Sequence, residues 1–240
     1  ALEGLIFAET LSQDPKKMRG LALAYGDLGG YSRSLSVLKR ADMGGQKDVS
    51  MLLNMAVKAA KAGQRPAALK ILAFAESLRL DPECIRILAL AYRDLDGYSR
   101  SLALLKRVDL KGPKDADMLL DLAAAAEKSN QRRAALEALS VAETLSLDPE
   151  RMRRLAFAYR DIGTYPRSLA LLKRVDLNGP KDAASLLDLA VRAERDRQRP
   201  VALASLVFAE SMMLDQESLR SLALSYRSLG EPRNASRVFR

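Results

Sequence analysis

The sequence predicts an all-α solenoid of about fifteen antiparallel helices with no strand, and three observations carry that prediction. A tyrosine recurs at Tyr25, Tyr92, Tyr159 and Tyr226, always 67 residues apart with no insertion or deletion. A small residue after a leucine or methionine recurs at Ala22, Ala56, Ala89, Ala123, Ala156, Ala190 and Ala223, with gaps alternating between 34 and 33. The units are also punctuated like helical hairpins, with Asp-Pro openings at Asp14, Asp81 and Asp148, a Gly-Pro end at Gly179-Pro180, and polar or glycine-bearing turns. Two similar but distinct hairpins therefore alternate along the chain.

The copy that begins at Asp148 shows the first type most clearly. Asp148 is placed to cap the helix, and Pro149 takes the first helical position, where its missing N–H costs nothing. Met152, Leu155, Ala156, Tyr159 and Ile162 then fall on one helical face. Gly163 closes the helix in a left-handed conformation. A second helix starts near Tyr165, turns Ser168, Leu169, Leu172 and Val175 inward, and ends at Asn178-Gly179-Pro180.

The second type follows from Asp182. Leu186, Leu189, Ala190 and Ala193 make the inner stripe of its first helix, and Ala202, Leu203, Leu206 and Ala209 that of its second. Its turns are polar: Gly63-Gln64-Arg65, Ser129-Asn130-Gln131-Arg132 and Asp196-Arg197-Gln198-Arg199. Such short connections force antiparallel neighbours.

The same reading divides the chain into a partial hairpin at 1–13 and hairpins at 14–47, 48–80, 81–114, 115–147, 148–181 and 182–214. A last one, partial or terminal, spans 215–240. Helices of 9–15 residues are expected, all in a single solenoid that is a segment of a larger protein. It opens in a second helix (1–11) and stops in one (232–240), and neither end reads as the polar cap that usually finishes a solenoid.

Composition narrows the chemistry. There is no histidine, no tryptophan and one cysteine, which leaves out His-based catalysis, haem and the usual zinc sites, and any intrachain disulfide. Cys84 aligns with Arg151 and Ser218 one and two periods on, so a neutral, partly exposed thiol is expected there. No apolar run approaches the ~20 residues of a membrane span. No carboxylate pair converges with a second group, so neither catalysis nor a cofactor is expected. The segment reads as soluble, with cytoplasm and periplasm equally open.

These spacings resemble the tetratricopeptide repeat (TPR) family. Its 34-residue unit has a large apolar residue, Leu plus a small residue, Tyr, a Gly-x-Tyr turn, further small and apolar positions, and Pro. Met152, Leu155-Ala156, Tyr159, Gly163-Thr164-Tyr165, Ser168, Leu172, Val175 and Pro180 supply that order. Second-type hairpins depart from it, with Arg65, Arg132 and Arg199 for the turn Tyr, and Ala59, Ala126 and Ala193 for the helix Tyr. A pentatricopeptide array fits less well, since no polar pair recurs per unit to read a base.

The resemblance implies a right-handed superhelix whose first helices line a concave groove for a peptide or a partner's helix. On that face the first-type units carry Arg86 with Arg93, Arg153 with Arg160, and Arg220 with Arg227, each pair seven residues apart. Arg19 begins the series, but Gly26 stands where its mate would be. Leu23, Leu90, Phe157 and Leu224, with Val57, Ala124 and Val191, fall between them as an apolar floor. Members of the family that clamp a C-terminal carboxylate use asparagine at this floor position, so that clamp is not expected.

Arginine forks suit carboxylates and other anions. Local neutralisation competes, since Asp94 and Asp161 follow two of the arginines and Asp121, Glu127, Asp188 and Glu194 sit on the intervening helices. Lys39-Arg40, Lys106-Arg107 and Lys173-Arg174 are placed in the last turns of second helices, where cations complement the helix dipole.

The expected function is a non-catalytic protein-interaction scaffold whose groove takes an acidic or amphipathic segment. Two alternatives stand beside it. One is a periplasmic scaffold for assembling or exporting an anionic exopolysaccharide, which large bacterial TPR segments resemble. The other is nucleic-acid binding, suggested by a net charge of +9 but opposed by dispersed basic residues and few aromatics. Self-association through the uncapped ends is a further expectation for light scattering to check.

Overall fold

The computed structural model describes residues 2–11, 14–41, 43, 46–177, 180–212 and 214–238. It falls into two compact units, 1–110 and 111–240. The first holds α1 (Leu2–Leu11), α2 (Pro15–Asp27), α3 (Tyr31–Arg40), α4 (Gln46–Lys61), α5 (Arg65–Glu76), α6 (Pro82–Asp94) and α7 (Tyr98–Leu105). The second holds α8 (Pro113–Lys128), α9 (Arg132–Glu143), α10 (Pro149–Asp161), α11 (Tyr165–Leu172), α12 (Pro180–Arg195), α13 (Arg199–Glu210), α14 (Gln216–Ser228) and α15 (Pro232–Arg237). Among the described residues there is no strand. The fold is all-α, a TPR-like array of helical hairpins.

In both units each first helix packs most closely on the second helix of its own hairpin: α2 on α3, α4 on α5, α6 on α7, then α8 on α9, α10 on α11, α12 on α13. First helices also stack on first helices, α2 on α4 and α4 on α6 in one unit, α8 on α10 and α12 on α14 in the other. Stability in such an array comes from nearest-neighbour interfaces. The repeating tyrosines lie inside them: Tyr25, Tyr159 and Tyr226 are wholly buried and Tyr92 nearly so.

The caps act as their residue types dictate. The Asp81, Asp148 and Asp215 carboxylates accept from the backbone N–H of Cys84, Arg151 and Ser218, and Asp14 accepts from Lys16. At the other end of each first helix one residue takes a positive φ at Gly29, Gly63, Asp96, Asn130, Gly163, Arg197 and Gly230. These seven positions repeat the 34/33 alternation, so one tight turn closes every complete hairpin and non-glycine residues adopt it in three copies.

Several expectations need correction. α4, α8 and α12 run 16 residues, longer than expected, and α7 and α11 run only 8. After Leu105 and Leu172 the bonding tightens to i→i−3, as Arg107 N–H donates to the Leu104 carbonyl and Arg174 N–H to that of Leu171. Lys106-Arg107 and Lys173-Arg174 therefore lie at and beyond the helix ends, whereas Lys39-Arg40 do occupy the last turn of α3. Met152 and Leu203 are half-buried, and Ser205 is the buried neighbour, its hydroxyl donating to the Val201 carbonyl at 2.9 Å.

Cys84 is buried, not partly exposed. Alignment with Arg151 and Ser218 misled because that position sits one turn into the helix, under the Asp cap: a long arginine reaches out from it, while a short thiol stays in. Burial and the adjacent Asp81 push the thiol pKa up, so it is neutral as expected. Asn178 and Gly179 of the proposed helix stop, Ala1 of the opening helix, and Phe239 and Arg240 of the closing one lie outside the described residues.

Candidate partner-binding face

The site begins with a packing rule. Ala22, Ala56, Ala89, Ala123, Ala156, Ala190 and Ala223 are all buried against the hairpin partner. The residue after each must then point about 100° away, onto the opposite flank of the helix. Leu23, Val57, Val191 and Leu224 accordingly stand 44%, 46%, 53% and 64% exposed. Leu90 and Phe157 are half-buried and Ala124 is exposed. In each unit, then, every complete first helix presents one apolar residue, mostly open to solvent, at the same register.

The predicted arginines flank that row but differ in what they touch. In the first unit Arg86 lies 3.9 Å from Glu83, and the Arg93 guanidinium donates to Asp94 at 2.8 Å. In the second, Arg153 donates to the Asp176 carbonyl at 3.0 Å and approaches Asp182 at 3.5 Å. Arg160 is the most enclosed. Its side chain is only 16% exposed, pairs with Asp161 and with Asp188 at 2.9 Å, and lies 4.9 Å above the Phe157 ring. Arg192 joins that cluster, 3.3 Å from Asp161 and 3.0 Å from Asp188, so α10 and α12 share four charges.

On α14 the geometry changes. Arg220 and Arg227 are exposed, and among the described residues neither has an acidic partner. With Leu224, Ala223, Ala235 and Ser236 they border an open cavity of about 400 Å³. Two guanidiniums two turns apart flank an exposed leucine, and such forks match carboxylates and other anions in geometry.

A further cavity of about 300 Å³ opens between α8 and α10 over Ala124 and Phe157. Beside it Arg154 reaches Asp117 at 2.6 Å and Asp121 at 3.1 Å, and Arg151 reaches Asp117 at 2.6 Å. The paired guanidiniums hold the Asp117 carboxyl below its usual range. This patch is neutralised internally.

A second repeating constellation, not evident from the sequence, lies away from this face. Glu9, Glu76, Glu143 and Glu210, 67 residues apart, each accept a hydrogen bond from the buried tyrosine of the next hairpin: Tyr25 at 3.1 Å, Tyr92 at 3.3 Å, Tyr159 at 2.9 Å and Tyr226 at 2.9 Å. Arg33 and Arg40 join Glu9, and Arg100 and Arg107 join Glu76. Arg167 instead donates to the Tyr159 hydroxyl at 3.2 Å, and Arg237 takes over at Glu210, where Asn234 stands at the register of Arg33. Burial first, then the neighbouring carboxylate, pushes Tyr92 and Tyr159 up to about 12 and raises Tyr25 and Tyr226 as well. The 67-residue recurrence of the glutamates was the signal that could have found this clamp.

The turn arginines that replace tyrosine also have a role. Arg65 donates to the Leu95 carbonyl at 2.5 Å and pairs with Asp96 at 2.8 Å, and Arg199 pairs with Glu231 at 3.1 Å. Each pins the turn of the following hairpin. Among the described residues no cluster of three or more His, Cys, Asp or Glu is placed to hold a metal ion, and no helix is long and apolar enough to cross a membrane.

No protein-family model matches the sequence, and no curated protein shows significant similarity to it. Solved structures similar to it are helical repeat proteins at low identity. The nearly identical TPR-like repeats of a kinesin light chain-like protein of Podosopora anserina are 22% identical over 70% of this chain and 96% of that one, with a TM-score of 0.38. Pseudomonas aeruginosa PilF is 17% identical over 79% of this chain and 88% of that one, TM-score 0.34. Naa15/Naa10 bound to HypK-THB gives 15% identity over 94% of this chain and 36% of that one, TM-score 0.49.

Proposed function

We propose that this chain is a non-catalytic protein-interaction scaffold whose first-helix face holds an acidic, amphipathic segment of a partner. The observation that supports the reading is the register of exposed apolar residues. Four of the eleven large apolar side chains left open to solvent among the described residues, Leu23, Val57, Val191 and Leu224, occupy the position after the buried alanine. An amphipathic helix laid in a groove meets its host through anchors at i, i+3, i+4 and i+7, and the exposed residues within one unit, Leu23 with Val57 or Val191 with Leu224, suit it. The guanidiniums Arg220 and Arg227, unpaired among the described residues, supply the preference for acid. Arg86, Leu90 and Arg93 take the matching positions in unit 1–110, and Arg153, Phe157 and Arg160 in unit 111–240, the arginines there already engaged by carboxyl or carbonyl oxygens and so contributing mainly shape.

The test uses the full chain and a fluorescent acidic peptide of about sixteen residues with leucines at helical spacing. Arg220→Glu/Arg227→Glu is expected to weaken its binding about tenfold while leaving the helical circular dichroism unchanged, since neither side chain holds a partner in the fold. Equal binding by the double variant would remove these arginines from the face. Competition by an anionic polysaccharide or by RNA at equal charge would instead favour a polyanion as the natural ligand.

A further inference from the structure

A cavity of about 690 Å³ lies between α2 and α4 in unit 1–110. Leu23, Met51, Met55 and Val57 supply its apolar lining, and Asp27, Lys47, Asn54 and Lys58 its polar edge. Pockets of about 300–1,000 Å³ are the size that takes ligands.

Its origin is a coordinated change between copies of the repeat. Two periods on, the four-charge cluster of α10 and α12 comprises Arg160, Asp161, Asp188 and Arg192. Subtracting 134 gives Gly26, Asp27, Asn54 and Lys58. Asp27 and Lys58 keep their half of the cluster, at 2.7 Å. The other half is absent on both sides: arginine has become glycine, and the aspartate it pairs with has become asparagine. Where Arg160 fills the space, nothing replaces it at Gly26, and a Cβ there would meet Met55 and Ser34 only at ordinary van der Waals distances. Loss of the arginine alone would have left a carboxylate facing the opening. Loss of both leaves an apolar socket edged by the Asp27–Lys58 pair and by Lys47.

We propose that this cavity is an anchor socket for one bulky apolar side chain of the partner segment, with a neighbouring carboxylate of that segment on Lys47. The inference rests on the scaffold reading above and gives it a position. Lys47 is exposed and has no acidic partner among the described residues, whereas Lys58 is engaged by Asp27. The rim is therefore net positive and complements an acidic segment. Met51 and Met55 give the socket adaptable walls, so leucine, methionine and phenylalanine all suit it.

The experiment labels the methionine methyls of the full chain with ¹³C and titrates the same leucine-bearing acidic peptide, beside a version with its leucines changed to alanine. The leucine peptide is expected to shift the Met51 and Met55 methyls, and the alanine peptide to bind about tenfold or more weakly. Gly26→Arg restores the residue found at Arg93, Arg160 and Arg227, with Asp27 beside it, and removes a helix-interior glycine. It is expected to fold and to abolish those methyl shifts. Asn54→Asp, the residue at 121 and 188, leaves the socket open and is expected to weaken the peptide about threefold, an effect that salt reverses. Binding that depends on Arg220 and Arg227 with silent Met51 and Met55 methyls, or unchanged by Gly26→Arg, would overturn the socket and leave the scaffold reading standing. Absence of any binding would overturn both.

Discussion

Removing a single oxygen tests the clamp that ties successive hairpins together. Tyr159 is wholly buried, its hydroxyl donates to Glu143 at 2.9 Å and accepts from Arg167 at 3.2 Å, and the Arg167 guanidinium lies 5.5 Å from the ring centre. Tyr159→Phe keeps the ring, its packing and the cation–π contact. It removes both hydrogen bonds, each to a charged group. Bonds of that kind contribute about 1.5–3 kcal/mol, and the partly exposed ion partners can turn to water, so a net loss of ~2 kcal/mol is expected. Glu143→Gln retains an acceptor for the hydroxyl and should cost less, ~1 kcal/mol. The double variant should cost clearly less than the sum, because both changes act on the same bond, which Tyr159→Phe removes and Glu143→Gln weakens. Urea unfolding followed by circular dichroism measures all four proteins. A loss below ~0.5 kcal/mol for Tyr159→Phe, or strict additivity with Glu143→Gln, would refute the clamp as a source of stability.

The same clamp predicts alkaline sensitivity. Raised tyrosine pKa values mean that the unfolded chain ionises first, so their contribution is intact below pH 10 and is lost as pH climbs toward 12 for Tyr92 and Tyr159, by ~1.4 kcal/mol per pH unit per tyrosine. Stability flat between pH 10 and 12 would contradict it. Arg197 holds a φ of +60°, so Arg197→Gly should raise stability by up to ~1 kcal/mol, whereas Gly163→Ala, at +78°, should lower it by ~1–2 kcal/mol; thermal unfolding checks both signs. Cys84, buried and neutral, should react with a disulfide reagent only as fast as its surroundings open, reaching free-thiol rates in denaturant.

The architecture was legible because it is written many times. Leu155, Ala156, Tyr159, Ser168 and Leu172 repeat in register, and all five are buried. Helix starts were legible where a cap residue is chemically required, as at Asp148, and stops where a turn needs a positive φ, as at Gly163. What stayed hidden depends on distance between elements. That Arg160 faces Asp188 on the next first helix, or that Glu143 receives Tyr159 sixteen residues on, follows from how hairpins stack, and periodicity assigns a residue to a face without naming its neighbour. The apolar floor sits between: its register was evident, but only the structure shows Val191 and Leu224 half or more exposed while Leu90 and Phe157 are partly covered. Gly26 looked like a defect in a series of arginines. With Asn54 opposite, it marks a cavity.

Capture of a partner segment on the first-helix face is tested most directly by carrying a nitroxide on the acidic leucine peptide and observing methyl resonances of the full chain. Val191 and Leu224 lie on first helices, and Val207, 54% exposed on the second helix α13, is a control of equal accessibility. Strong broadening of the Val191 and Leu224 methyls is expected, with Val207 unaffected. Broadening of Val207 to the same degree, or of none of the three at peptide concentrations that saturate the anisotropy signal, would contradict it.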